Sequence, residues 1–536
     1  MNLLTLLIIS GIILLIAYFT YGKYLEKRLG IDPSRKTPAV TMGDGIDYVP
    51  ASKPVLLGHH FATIAGGGPI VGPITAAVFG WIPAVIWILL GSIFMGGVHD
   101  YASLQASIRH KAQSIGTIIK EYIGKKGQTL FLIFSITTIM LIVGVFMILV
   151  ADTFEAVPEA ATASMLFIAI ALVFGFIINQ LRINLGIATI FGVVAMFAAI
   201  YFGVKFPWQM SSEFWLIILL LYAFVASVLP VWMLLQPRDY LNSYLLYGMM
   251  IGAVLGIIFT APEIQFPGYT GFYNETQGYL FPMLFIIIAC GALSGFHSLV
   301  ASGTTAKQLD NEKNGRFIAY GSMLVEAFLA IIAVGTVAYL SQGKFTALMA
   351  EGATPVSIFS NGIGYFMSNF GIPEQAGVTF TALTVSAFLL TSLDSASRLG
   401  RYAVQEFCEE RAPKIAQSGT ISTTIILIGA ALLAFSGTWS SVWPVFGAAN
   451  QMLGAIALLA VTAWLTKKGA KPLFTLIPMI FMFIVTLSAL VMLIYQNYTK
   501  DNFVLSGIAL ALLALCIVLM IQAWQTFFGR NKNQTI

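Results

Sequence analysis

Fifteen stretches of about twenty apolar residues recur along this chain, and that recurrence constrains it more than any other feature. They read as 3–20, 58–80, 81–105, 129–151, 160–180, 184–203, 213–236, 241–261, 280–304, 316–340, 376–400, 419–436, 442–466, 473–496 and 502–526. A helix crossing the hydrocarbon core of a bilayer needs about 20 such residues, so roughly 300 of the 536 positions are committed to lipid. The runs are continuous rather than alternating, which excludes a lipid-facing β-barrel. Only 10% of the residues are charged, against ~25% in soluble domains. The expectation is an all-α integral membrane protein of about fifteen transmembrane helices. The net charge of +5 gives no reason to expect a nucleic-acid partner; in lipid, the distribution of Lys and Arg carries the information.

That distribution is lopsided. With the first helix running from outside to inside, 25 of the 28 basic residues fall in loops on one face, leaving Lys205, Lys344 and Lys500 on the other. By the positive-inside rule the N-terminus is outside and the C-terminus cytoplasmic, as in a multi-pass membrane protein. Residues 3–20 lack a basic leader and a small-residue cleavage motif, so they read as a retained helix. The gaps 21–57 and 341–375 read as loops with room for a surface helix. Cys290, Cys408 and Cys516 form no CxxC pair and no disulfide framework.

One span resists a helical reading. Gly58-His59-His60-Phe61-Ala62-Thr63-Ile64-Ala65-Gly66-Gly67-Gly68-Pro69-Ile70-Val71-Gly72-Pro73 holds five glycines and two prolines. Each Gly costs a helix about 1 kcal/mol and each Pro about 3. Unwound backbone at membrane depth survives where it is buried in protein or lines a cavity; close packing through small residues is the plainer alternative. No GxxxxGK[ST] motif occurs, so the stretch is not a nucleotide loop. A second segment, Gly291–Thr305, shares the pattern G-x-H-x5-G when Gly58, His60 and Gly66 are set against Gly295, His297 and Gly303. The two spans run in opposite directions by the charge count, as inverted repeats flanking a binding site would. Candidate substrate-binding residues are therefore His59, His60, Gly66, Gly67, Gly68, Pro69, His297, Ser302 and Gly303.

Polar groups inside spans complete the candidates. Glu326 lies about ten residues into its span, ~15 Å deep, where an ionisable group is costly and points to function. Thr391, Ser392, Asp394 and Ser395 form a hydroxyl-rich cluster; with the carbonyl of Ala65 they suit Na⁺, whereas Glu326, His60 or Asp394 would carry a proton. Of the two, proton coupling through Glu326 is favoured. Asp394 also has Arg398 at i+4 as a structural partner. His99, Asp100 and Arg109 sit toward the cytoplasmic end of a span, as a gate or a solvated helix end. No HExxH occurs and His59 and His60 point to different sides of a helix, so no metal or other cofactor is expected.

The first motif, with Val98-His99-Asp100-Tyr101-Ala102-Ser103 and Ser107-Ile108-Arg109-His110-Lys111, closely resembles the carbon starvation protein A family, and Thr391–Arg398 fits it too. The resemblance implies a five-plus-five inverted-repeat core of the amino acid–polyamine–cation superfamily. In that frame 1–57 is an extra helix and loop, 58–203 repeat one, 204–279 two inserted helices, 280–466 repeat two and 467–536 extra helices. It also implies uptake of short peptides or pyruvate under nutrient limitation. Gly67 stands where many relatives have alanine, and the chain is shorter than the longer members.

The function expected is a cation-coupled importer of a small carboxylate-bearing nutrient, not an enzyme. Half-helix N-termini offer unpaired N–H groups to a carboxylate. A proton-translocating subunit of a redox complex would place Lys along the midplane, and here the lysines fall in loops. A passive channel shares these features and differs in lacking concentrative uptake. The topology has a direct check: a cysteine placed in loop 264–278 should label from outside with an impermeant thiol reagent, and one near Lys468 should not. The reverse pattern would overturn the orientation.

Overall fold

The computed structural model describes residues 1–45, 47–181, 183–436 and 439–528. Arg182, Arg530 and Lys532, used in the charge count, lie outside them. Among the described residues thirteen helices are long and apolar enough to cross a membrane. A shorter helix at Ser212–Val228 and a broken pair at Leu280–Ile287 and Gly295–Gly303 account for the remaining two apolar stretches.

In chain order the main helices are α1 (Leu3–Phe19), α2 (Lys53–Ile64), α3 (Gly68–Ala76), α4 (Trp81–Arg109, with a π-helical turn at Ser92–Gly96), α5 (Lys125–Ala156), α6 (Pro158–Asn179), α7 (Leu185–Lys205), α8 (Ser212–Val228) and α9 (Leu235–Thr260). They continue with α10 (Leu280–Ile287), α11 (Gly295–Gly303), α12 (Ser322–Ala338), α13 (Pro355–Ser368), α14 (Glu374–Cys408), α15 (Gly419–Ser436), α16 (Trp439–Lys467), α17 (Leu473–Thr499) and α18 (Phe503–Phe528).

The two longest, α5 and α14, pack along one another, and α8 and α15 each pack on both. The 35 residues of α14 extend roughly 50 Å, well beyond a ~30 Å hydrocarbon core. Against this scaffold sit the interrupted elements: α2 packs on α9, α3 on α12, and α11 on both α4 and α16. Helix α7 packs chiefly on α6, and α1, α17 and α18 present apolar residues outward at the periphery.

Segment 341–375 is not mainly loop. It holds a helix at Gln342–Ala350 and then α13, which packs against α9 and α14. Thr354 caps α13, and Val356, Phe359, Ile363 and Phe366 form a buried stripe at helical spacing. The stripe is too short to span lipid, so hydropathy alone does not register it. Likewise, Tyr21–Leu29 continues α1 as a helix in segment 21–57.

The two interrupted helices touch at their breaks. A Cβ on Gly72 would lie 2.5 Å from the Ile287 carbonyl oxygen. Gly72→Val should therefore cost about 1–3 kcal/mol through overpacking, read as a lower thermal midpoint of the purified protein in detergent. An unchanged midpoint would contradict the crossing.

Candidate functional site

The first break follows from covalent chemistry. Pro69 has no N–H with which to close a helical bond on the Ala65 carbonyl, and Pro73 has none for Pro69. Helix α2 stops at Ile64 and α3 restarts at Gly68. Side chains from α14 serve the opening: Ser392 Oγ donates to the Thr63 carbonyl at 3.0 Å. Gly66 is required there, because a Cβ would lie 2.2 Å from Ser392 Oγ.

A buried charged network flanks this break. His59 Nδ1 donates to Asp239 Oδ2 at 2.8 Å, and Arg238 Nη2 lies 3.7 Å from Asp239 Oδ1. Arg238 Nη1 bonds Asp394 Oδ2, which also accepts from Tyr222 Oη at 2.6 Å. Thr63 Oγ1 sits 3.5 Å from both Asp239 Oδ2 and Ser395 Oγ. Asn242 donates to Thr391 Oγ1 at 3.3 Å. Four helices, α2, α8, α9 and α14, are joined by this one network.

The second break, Ile288–Ser294, is sealed by side chains. Trp87 and Trp443 indoles donate to the Ile288 and Ile287 carbonyls at 3.1 and 3.3 Å, and Gln451 donates to the Phe285 carbonyl at 2.9 Å. Asn450 accepts from the Phe296 amide at 2.8 Å, capping α11, and donates to Ser294 Oγ at 3.0 Å. Beyond it lies a second polar cluster. Asp100 accepts from His99 Nδ1 and His297 Nδ1, each at 2.8 Å. His297 Nε2 lies 3.6 Å from Glu326 Oε2, and His60 Nδ1 lies 2.8 Å from Thr305 Oγ1.

A cavity of about 650 Å³ opens on the face that carries the loops after α4, α11 and α14. Ser302, Gly303, Lys307, Tyr402, Gln405 and Glu406 are among its walls. Lys307 Nζ stacks 4.8 Å over the Tyr402 ring, whose hydroxyl donates to Asp47 at 2.9 Å. Burial in the same wall pushes the Tyr48 hydroxyl above its usual range.

The structure divides the expected site residues. Ala65, Gly66, Thr391, Ser392, Asp394 and Ser395 gather at the first break; Glu326 does not join them and lies beside His297 and Asp100. His59 and His60 diverge, toward Asp239 and Thr305 respectively. Gly67 and Gly68 face protein, since Cβ atoms there would meet Leu389 at 2.4 Å and Cys290 Sγ at 2.3 Å. Ser302 and Gly303 line the cavity, some distance along α11 from the break.

Four expectations are corrected. Asp394 pairs with Arg238 rather than Arg398, whose guanidinium caps the Ala226 and Leu229 carbonyls at the end of α8. His99 and Asp100 are fully buried in mid-helix, not at a solvated end, while Arg109 lies three turns on and bonds Glu312 and the Gly30 carbonyl, each at 2.8 Å. Among the described residues His99 and Asp100 share no hydrogen bond or ion pair with Arg109. The G-x-H-x5-G match sets α2 and its break against α11 alone, because Gly66 is in a break and Gly303 ends a half-helix. Arg238, counted as a loop residue, is inside α9 and 2% exposed. With Asp239, Tyr222, Asn450 and Cys290 it was missed; the charged pair following Pro237 at the mouth of an apolar span was the available signal.

Two interrupted helices crossing at buried polar groups, on a scaffold of long paired helices, define an inverted-repeat secondary transporter. A solved manganese transporter variant from Eremococcus coleocola superposes with TM-score 0.50 at 11% identity, covering 90% of this chain and 99% of that one, which shows the fold. The carbon starvation protein CstA family matches residues 2–353 and 346–489, and the chain belongs to it. The Escherichia coli peptide transporter CstA is 33% identical, over 91% of this chain and 80% of its own length. The pyruvate/proton symporter BtsT of the same organism is 32% identical over 91% and 81%.

The Arg238–Asp394 pair has a thermodynamic test. Arg238→Ala leaves buried carboxylates unpaired and should destabilise the protein by about 3–5 kcal/mol. Replacing both partners by apolar residues of similar volume should recover most of that loss, as thermal unfolding in detergent would show.

Proposed function

We propose that this transporter imports a small carboxylate-bearing nutrient, pyruvate or a short peptide, driven by protons rather than Na⁺. The observation that carries the choice of ion is Arg238. Its fixed positive charge lies against Asp394 and near Asp239, and Asp394 is within one turn of α14 of the Thr391 and Ser392 hydroxyls that a sodium ion would need. Two like charges so close in a buried site repel strongly. The proton symport named for BtsT agrees with this reading.

The network itself supplies the exchange. Asp394 and Asp239 compete for one guanidinium, so a proton on Asp394 releases Arg238 toward Asp239 and its partner His59. Arg398, four residues on, stays engaged with carbonyls and keeps the local charge constant. Because the groups sit on α2, α9 and α14, moving Arg238 shifts the pull between the first break and the scaffold. This reading assigns the coupling proton to the Arg238–Asp394 network instead of Glu326.

The solute route runs from the 650 Å³ cavity along α11 to the breaks. The cavity face is cytoplasmic in the positive-inside orientation, with the N-terminus outside a bacterial plasma membrane. Lys307 suits a solute with a carboxylate, and the exposed Glu409 on the same cavity wall suits an ammonium if the solute is a peptide. Packing supports one change to the repeat frame: α9 meets α2 as α16 meets α11, and α8 meets α5 and α14 as α15 does. Repeat one then ends with α8 and α9, and the inserted pair is α6–α7.

Proteoliposomes test the reading directly. Labelled pyruvate or dipeptide should accumulate under a proton gradient and not under a Na⁺ gradient. Asp394→Asn should abolish accumulation but keep solute exchange, while Ser392→Ala stays proton-driven. Uptake that follows Na⁺ and collapses in the serine variant would overturn the proton assignment, and equilibration without accumulation under either gradient would mean a channel.

A further inference from the structure

Glu326 poses a chemical problem that the transport network does not solve. Its side chain is 0% exposed, and neither carboxylate oxygen has a hydrogen-bond partner among the described residues. Its ion-pair contact there is His297 Nε2, itself without a hydrogen bond. An isolated buried carboxylate is disfavoured by several kcal/mol unless a cation or a proton meets it. A third soft donor completes the group: Cys290, His297 and Glu326 each bring one donor atom within 4.8 Å of the other two.

We propose that Cys290, His297 and Glu326 form a binding site for a divalent transition-metal ion of the borderline class, Zn²⁺ foremost. Sulfur, imidazole and carboxylate together are the donor set such ions prefer, and one that Mg²⁺ and Ca²⁺ do not. Metal–ligand bonds of about 2.0–2.3 Å in a tetrahedron place donors roughly 3.5 Å apart. The 3.6 Å between His297 and Glu326 already meets that, and the remaining separations close with shifts of about 1 Å.

The surrounding groups point the same way. His297 donates its Nδ1–H to Asp100 at 2.8 Å, leaving the Nε2 lone pair toward Glu326. That carboxylate–histidine arrangement orients an imidazole ligand and raises its basicity. Cys290 Sγ lies 3.8 Å from the Asn450 Nδ2 donor and 3.7 Å from Ser294 Oγ, so polar groups surround the sulfur as thiol and as thiolate. Thiolate and carboxylate would together neutralise a 2+ ion, releasing their protons as it binds. The site ties the second helix break, through Cys290 and His297, to α12 through Glu326. No nucleophile-to-substrate chemistry is implied; the ion fixes the geometry of the break.

The test uses the full chain in detergent micelles, stripped with a chelator and titrated with Co²⁺ alone. A saturable near-ultraviolet thiolate-to-cobalt band at one ion per chain, displaced by Zn²⁺, is expected. Cys290→Ser should lose the band and Cys408→Ser keep it, with helicity and thermal midpoint matching the parent. Asp100→Asn should weaken Co²⁺ binding by roughly 10–100-fold. X-ray absorption of the zinc-loaded parent, which needs no variant, should show one sulfur with nitrogen and oxygen neighbours. A folded parent with no band, a band that persists in Cys290→Ser, or a zinc shell without sulfur each overturns the proposal. Binding is read without solute or gradient, so its failure leaves the transport reading standing, and failure of transport leaves the metal site standing.

Discussion

Everything in this structure depends on how two interrupted helices are satisfied inside lipid. An open backbone group in hydrocarbon costs several kcal/mol, so a break survives only where partners are supplied. At the second break they are Trp87, Trp443, Gln451 and Asn450, brought from α4 and α16. At the first, Ser392 serves Thr63 from α14. These donors fix which helices must surround the breaks, and so they fix the core of the fold.

The same constraint explains where charge is stored. The ionisable side chains around the breaks are buried, so each needs a partner from another helix. The chain meets this with two clusters of different composition. Around the first break, arginine and aspartates form a network in which partners can be exchanged. Around the second, histidines, carboxylates and a thiol gather without a lysine or arginine in ion-pair contact among the described residues. Exchangeable ion pairs suit a cycling transporter; an arginine-free anionic pocket suits a bound cation. The two proposals above divide along that chemical line.

The long helices α5 and α14 give the clusters a fixed reference. Asp394 and Ser392 are carried on α14, whose packing along α5 is extensive and apolar, whereas His59 and Thr63 ride on the short α2. A half-helix held by a few hydrogen bonds and one ion-pair network is easier to move than a 35-residue helix packed along its length.

The sequence by itself determined the membrane class, the order of the spans and the first break, because hydropathy and the prolines at 69 and 73 act locally on the chain that carries them. It also marked Gly66, Ser392, His297 and Glu326, since buried polar groups and clustered glycines are expensive in any fold. What it did not determine was which polar groups meet. Asp394 and Arg398 are four residues apart and read as partners, but the partner is Arg238, 156 residues away on a helix that no local pattern brings near. Cys290, His297 and Glu326 carry no motif spacing, because a helix break and a second helix set their separation. The two broken elements also meet in space, Gly68 against Cys290 and Gly72 against Ile287, whereas the shared G-x-H pattern sets the first break against α11 alone. Local energetics are written in one dimension. Pairing in a low-dielectric interior depends on which helices pack together, and only the tertiary structure decided that.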